Sequence, residues 1–425
     1  MMRIYPSIMK LTGTAVILVM LLWTSPARSQ ARIVSLDEAI RTAVEQNPRL
    51  RANASETEAA THLKRTAVDI PKLQAMWMSG QYNSLNKDNN LTITQNLPFP
   101  TVFTSQSRLG ELRVESSRFR EAASRNELIY QVKLVYQALQ FLMAREKLLR
   151  SQDSLFAELV RTTTLQLATG EGTLLQKTSA ETRYNEIKNQ MVQNLADQLT
   201  FRAQLRVLMN TPDEVSFPTG DFQPMTTSLV DDVGQVSDNP MLAYQQSLSS
   251  VAQQEKRVEA NRVLPDLTLG YFNQSLIGFQ TQPDGTDRLF SADDRFTGFM
   301  VGLAIPVWFV SPAARVKAAG ARSESARYQA ESMEKQLQGE WRQAVQQFEK
   351  NNSSLSYYTR SALPNAQLLL RQSTAAFRAG DIGQADFRLN VQQALSIQET
   401  YLQTVFDYNK SILMLEFLAG TYSKN

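Results

Sequence analysis

The chain states one plan twice. Asn47-Pro48 opens one passage and Asn239-Pro240 opens another. Ile70-Pro71 matches Leu264-Pro265, and Leu97-Pro98-Phe99 matches Ile305-Pro306-Val307. Gly170 matches Gly380, and Leu208-Met209-Asn210 matches Leu418-Ala419-Gly420. The first and second of these prolines are 23 residues apart in one copy and 25 in the other. The third lies 72 and 74 residues before the glycine, which lies 40 residues before the end of each copy. Only the interval between the second and third prolines differs, at 27 against 41. A duplication this long constrains the fold before any motif is read, because one structural unit must account for both copies. The division is a first copy over 30–210, a linker over 211–238, a second copy over 239–420 and a tail over 421–425.

Residues 1–29 read as a signal peptide outside that plan. Arg3 and Lys10 form a basic start, Leu11 to Trp23 is a short apolar run, and Ala27-Arg28-Ser29 offers a cleavage site. Export is therefore expected. The net charge of +3 belongs wholly to this segment, since its three basic residues face no acidic ones. The remainder is neutral, so charge gives no case for nucleic-acid binding. With no cysteine, there is neither a disulfide framework nor a thiol to carry a lipid. Every later apolar pattern is interrupted by charged residues or Gln. The mature chain is either soluble or membrane-embedded as a β-barrel, the other structure that satisfies its backbone in lipid.

Residues 101–169 hold one Gly and no Pro. Leu128, Val132, Val135, Leu139, Leu142, Glu146 and Leu149 recur at alternating spacings of 4 and 3, a heptad seam with one polar break. The pattern resumes from Thr173 to Met209 after Gly170-Glu171-Gly172. The second copy repeats it over 311–378 and 384–418, around Gly380-Asp381-Ile382-Gly383, with Pro364 expected to kink or break the first arm. A 70-residue helical arm reaches roughly 100 Å. That length predicts coiled-coil hairpins with glycine tips. The narrow apolar stripe suits helices packed side by side around a solvated space. Ser35 with Glu38 reads as a capping box, and each Asn-Pro places a cap before a proline at the first helical position. Short helices are expected over 48–69 and 240–263.

After Pro71 and Pro265 the period changes to two. The runs 73–82, 91–97, 267–271 and 299–305 alternate large apolar with small or polar residues. Their aromatic ends, among them Trp77, Tyr82, Phe299 and Trp308, resemble interfacial aromatics. The plainer alternative is a two-stranded hairpin resting on a helical body. The connectors 83–90 and 280–294 are polar. Four strands cannot close a barrel, and an open edge cannot sit in lipid. Three chains would supply twelve strands and twelve helical arms. The expected fold is mixed and mainly α: helical hairpins forming an α-barrel, with a four-stranded contribution to a trimeric, twelve-stranded transmembrane β-barrel.

On these residues the chain resembles the TolC family of outer-membrane efflux proteins. The likeness is carried by Ser35-Leu36-Asp37-Glu38-Ala39-Ile40 with Asn47-Pro48, the proline after each strand pair, and the glycine tips in both copies. The resemblance implies a homotrimeric conduit in the outer membrane of a Gram-negative bacterium, with a periplasmic helical tube. It implies a periplasmic adaptor (membrane fusion) protein and an inner-membrane pump of the resistance–nodulation–division (RND) type as partners, and outer-membrane lipid around the barrel. The stretch Gln95 to Val102 is similar to the branch serving heavy-metal pumps, the CusC- and CzcC-like one. The family's adaptor-docking tips map onto Gly170, Gly172, Thr173, Gly380 and Gly383. Its periplasmic aperture maps onto Asp386, with Arg388 beside it. A second acidic residue expected near Asp386 is absent, because Arg388 precedes Leu389. The same glycines would be needed for a tight turn in any case.

No catalytic constellation, phosphate-binding loop or cofactor motif emerges. His62, the one histidine, reads as a surface or interface residue, and one His without Cys cannot build a soft-metal site. Met76 and Met78 share a strand face and either line a lumen or fill a core. The expected function is the exit duct of a tripartite efflux pump, with heavy-metal cations as one cargo. The alternatives are the exit duct of a type I protein secretion system and, in another class, a soluble periplasmic coiled-coil adaptor or scaffold.

Overall fold

The computed structural model describes residues 32–83, 85–212, 215–216, 222–226 and 233–423. The expected signal peptide, part of the linker and the last two residues lie outside these. The chain is mainly helical with a small antiparallel sheet at one end. A short strand β1 (Arg32–Ile33) precedes helices α1 (Leu36–Gln46) and α2 (Pro48–Lys64). Strands β2 (Gln74–Gly80) and β3 (Asp88–Leu97) lead into helices α3 (Pro100–Ala168) and α4 (Leu174–Met209). Strand β4 (Val215–Ser216) pairs in parallel with β1, a contact the sequence does not announce. The second copy runs α5 (Pro240–Asn261), β5 (Asp266–Ser275), β6 (Gly278–Thr281), β7 (Asp287–Phe290) and β8 (Arg295–Ala304). It ends with α6 (Val310–Tyr357), α7 (Leu363–Ala379) and α8 (Gln384–Leu418).

The polar connector expected over 280–294 is a second small hairpin. β6 and β7 pair with each other around an Asp284-Gly285 turn, where Asp284 Oδ1 accepts from Thr286 N at 3.0 Å and from its hydroxyl at 2.7 Å. At Pro364, where a kink or break is expected, the helix is disturbed but does not end. The helix bridges it with a π-helical turn over Tyr358–Ala362, where Leu363 N donates to Tyr358 O. Proline has no N–H to donate, and the wider turn reorganises the ladder around that gap instead of ending it.

The sheet order is β2-β3-β5-β8, antiparallel throughout. Its register sorts the side chains by face, since alternate residues point to opposite sides. One face carries rows such as Ala75–Ile93–Tyr271–Phe299 and Leu97–Leu267–Leu303. The other carries Met76–Thr92–Phe272–Gly298 and Asn96–Thr268–Gly302. Met76 and Met78 therefore sit on the polar, small-residue face and fill no core. Phe299 is 86% exposed and Val301 75%, so the apolar face is bare in the single chain. Neither β2 nor β8 has a strand on its outer edge among the described residues.

Below the sheet the helices lie side by side in two tiers. Near the sheet the order is α2, α3, α5, α6; farther away it is α4, α3, α8, then α6 and α7. Long α3 runs through both. The Asn-Pro pairs make the joints between tiers. Asn47 Oδ1 accepts from Arg49 N at 2.9 Å, capping α2, while its Nδ2 donates to Leu208 O at the end of α4 at 3.2 Å. Asn239 does the same in the second copy, accepting from Met241 N at 2.9 Å and donating to Leu418 O at 2.9 Å. One amide thus satisfies a donor at the start of one helix and a carbonyl at the end of another, and the following proline has no N–H to leave stranded. Asn239 is buried and Asn47 is half-buried. Asn239→Ala should therefore cost about 2–3 kcal/mol, a lost cap plus an orphaned carbonyl. Asn47→Ala should cost about 1 kcal/mol, because water can replace part of what is lost. Thermal melts of the two variants check the difference, and equal losses would count against it.

The polar break in the heptad seam is a built layer. Glu146 Oε2 accepts from Gln198 Nε2 at 2.9 Å and its Oε1 accepts from Arg150 at 2.6 Å. Asn194, fully buried one turn away, donates to Leu142 O at 3.1 Å. The Gln198 bond, then Arg150, hold the Glu146 carboxyl below the usual carboxylate range. Such a layer fixes the register of a helical pair that an all-leucine seam would let slide. The two hairpins join through α3 and α8. Lys133 pairs with Glu416 at 3.1 Å, Arg145 with Glu399 at 2.9 Å, and Tyr130 stacks on Phe417 at 4.7 Å.

Candidate docking and gating site

Both hairpin tips lie at the end of the molecule away from the sheet, because α3 carries the chain some 100 Å from it. Each long arm ends in the same device. Gly170 has φ of 79° and Gly380 of 82°, the left-handed region where a side chain strains the backbone. At the first tip Glu171 N donates to Gln166 O at 2.9 Å; at the second, Asp381 N donates to Ala376 O at 2.9 Å. These are equivalent helix-closing bonds, five residues back in each case.

The return helices then start differently. Thr173 caps α4 in a reciprocal box with Gln176: Thr173 Oγ1 accepts from Gln176 N at 3.3 Å, and Gln176 Oε1 accepts from Thr173 N at 2.8 Å. This Thr-x-x-Gln signature is legible in the sequence. Gly383 occupies the same cap position on α8 without a side chain to offer. The glycines of the two tips are thus not all equivalent. Gly172 corresponds in the repeat to Ile382, and a Cβ on it would meet Gln166 Cβ at 3.0 Å, a tight contact that the end of α3 would have to relieve.

Asp386 lies exposed in the first turn of α8, where its charge suits the positive end of the helix. Arg388 Nη1 donates to Ser179 Oγ on α4, tying the second hairpin to the first. Of the expected aperture residues, Asp386 is exposed to solvent, while Arg388 bonds within the chain. Just above the tips the two hairpins share a core of Phe156, Leu159, Ala180, Ile187, Phe387, Val391 and Leu395. Phe377 stacks on Phe387 at 4.4 Å and 12°, pinning the second turn. Sequence reading does not reveal Ser179 or this shared core, whose members come from three helices. It could have flagged Leu174-Leu175, which follow the cap directly and are 66% and 79% exposed at the tip.

Among the described residues no cluster of His, Cys, Asp and Glu could hold a metal ion, and no helix is long and apolar enough to cross a membrane. No family model and no curated protein sequence matches the chain. Its fold, however, is that of solved outer-membrane channels. It superposes on the outer-membrane channel OprN with a TM-score of 0.76 at 17% identity, over 91% of this chain and 89% of that one. CusC, solved in a study of transmembrane channel formation, gives 0.74 at 14%, over 90% and 91%. The CmeC outer-membrane channel of Campylobacter jejuni gives 0.73 at 13%, over 91% and 85%. These neighbours are channel proteins, not enzymes.

Proposed function

We propose that the chain is the outer-membrane exit duct of a tripartite efflux pump of the TolC type, assembled from three copies. One observation carries the proposal. The four-stranded sheet has one bare apolar face and two unpaired edges, a combination that neither water nor lipid accepts in a single chain. Further copies joined edge to edge would remove both edges and turn the apolar face outward to lipid. Three copies give twelve strands.

The helical tiers support the same assembly. Their free edges are α2 in the upper tier and α4 in the lower on one side, and α6 with α7 on the other. The α4 edge exposes Val192, Leu195, Leu199 and Val207 at near-helical spacing, and the opposite edge exposes Tyr328, Tyr357 and Leu368. Packing one edge against the other in a neighbouring copy closes a tube. The tips at the far end then take the adaptor, through Gly170, Gly172, Thr173, Gly380 and Gly383, with Asp386 at the aperture and an inner-membrane RND-type pump beyond. The adaptor-or-scaffold alternative is disfavoured, because likeness to channels extends over about nine-tenths of the chain.

Heavy-metal cations as cargo rest on the Gln95 to Val102 stretch. That stretch also shapes the turn from sheet to helix, since Gln95 Nε2 donates to Pro71 O at 2.6 Å and Pro100 starts α3. OprN, CusC and CmeC fit almost equally well, so the fold favours no branch.

Fractionation and native electrophoresis test the assembly. The full chain should be recovered from outer membranes as a heat-modifiable trimer that conducts in planar bilayers. Leu199→Glu, a charge on the α4 edge, should shift it to monomer. Recovery of the unaltered chain as a soluble monomer from periplasmic extract would overturn the reading.

A further inference from the structure

A cavity of about 730 Å³ lies directly beneath the sheet. It is lined by all four helices of the upper tier, including α2 and α6, which α3 and α5 keep apart. A single cavity can touch both outer members of a side-by-side layer only on the concave side of that layer. In the proposed tube that side is the inner wall, so the cavity faces the conduit.

Its floor is apolar and takes one buried residue from each quarter: Ala67 just past α2, Leu109 of α3, Val258 of α5 and Ala319 of α6. Its rim is cationic. Lys64, Arg113, Arg262, Arg315 and Arg322 line it, against Asp69, Glu255 and Glu259. Arg113 pairs with Glu255 at 2.8 Å, while Glu259 is shared between Arg262 at 2.8 Å and Arg315 at 3.8 Å. Arg322 makes no ion pair with any described residue. The excess is regional as well. The segments 60–72, 100–120, 250–266 and 310–327 hold 14 Lys and Arg against 7 Asp and Glu, in a chain that is neutral from residue 30 on. A concave wall with an excess of one sign concentrates counter-ions.

We infer that this cavity binds amphipathic organic anions, molecules with an apolar body and a sulfonate or carboxylate head, as they pass through the duct. The body would rest on the floor and the head would reach the Arg322 and Arg262 guanidinium groups, whose planar forks suit such heads. The volume is that of a site for a drug-sized molecule. This inference rests on the exit-duct reading for the side of the wall on which the cavity opens. A phospholipid headgroup shares the chemistry, and the test separates the two sources.

The test is calorimetric titration of 1-naphthalenesulfonate into the full chain in phosphatidylcholine nanodiscs. Saturable binding at one site per chain is expected, weakening with salt, while neutral 1-naphthalenemethanol binds at least about tenfold more weakly. Arg322→Gln combined with Arg262→Gln should weaken the sulfonate about tenfold, with the melting temperature showing that the fold is kept. Arg322→Lys should retain part of the affinity. Equal binding of the neutral compound, or no effect of the double variant, would overturn the inference. Displacement of the sulfonate by phosphatidylglycerol in the nanodisc would overturn the solute as occupant and assign the site to lipid. Planar-bilayer conductance distinguishes the two readings. A conducting protein that fails to bind sinks the pocket alone, and a protein that binds without conducting sinks the duct.

Discussion

Gly420→Val should be the most destabilising of the glycine replacements, at about 3–5 kcal/mol, with a fall in melting temperature to match. Two costs combine. Gly420 has φ of 68°, a conformation that penalises a β-branched residue by roughly 1–2 kcal/mol or more. Its Cβ would also stand 2.7 Å from Asp238 O and 2.8 Å from Pro240 Cδ. Neither neighbour is the free end of a flexible side chain, so the joint itself must shift, at a cost of typically about 1–3 kcal/mol. The site is the seat where α8 meets α5, beside the Asn239 amide. Gly339→Ala provides a control of opposite sign. That glycine lies inside α6, nothing stands within 4 Å of its would-be Cβ, and alanine should stabilise by about 0.5–1 kcal/mol. If both variants melt alike, the seat is not the constraint described.

The second large effect concerns export. Gly170→Val together with Gly380→Val should reduce survival of the producing strain to that of a deletion strain, while the protein still assembles in the outer membrane. The space around both glycines is open, with nothing within 4 Å of a Cβ. The cost is therefore conformational only, about 1–2 kcal/mol at each tip, less than at the Gly420 joint. It falls on turns whose shape would be read by another protein. Gly170→Asn with Gly380→Asn separates shape from surface, because asparagine tolerates the left-handed region. Export should survive the asparagine pair and fail with the valine pair. Survival of export in the valine pair would remove the tips from the docking assignment.

The periodic elements were legible in the sequence because their cause is periodic. The seam from Leu128 to Leu149 announces α3, and alternation announces β3, β5 and β8. The Asn-Pro pairs were legible as caps, yet their second role was not. The carbonyls they reach belong to Leu208 and Leu418, 161 and 179 residues away, and nothing local encodes that separation. The β6–β7 hairpin escaped because its strands are only four residues long, too short for alternation to register. Pro364 marks a disturbance in the sequence, but whether a helix breaks or widens depends on packing along its whole length. At the tips the glycines stood out, while Ser179 became relevant only when Arg388 was folded against it. The basic cavity draws on four segments spread over more than 250 residues, so only their assembly exposes it.

The π turn at Tyr358–Ala362 gives one hairpin a mechanical property that the other lacks. Between it and Gly380 lie 17 residues of helix, a rod of roughly 25 Å. Sharp bends in long helices concentrate where the ladder is already irregular. A tilt of about 10° at that point would swing the far end sideways by roughly 4 Å. Arm α3 has no such joint along its 69 residues and behaves as a strut. The chain thus pairs an unbroken arm with an interrupted one, and Gly380, Gly383 and Asp386 lie at or just beyond the far end of the interrupted arm.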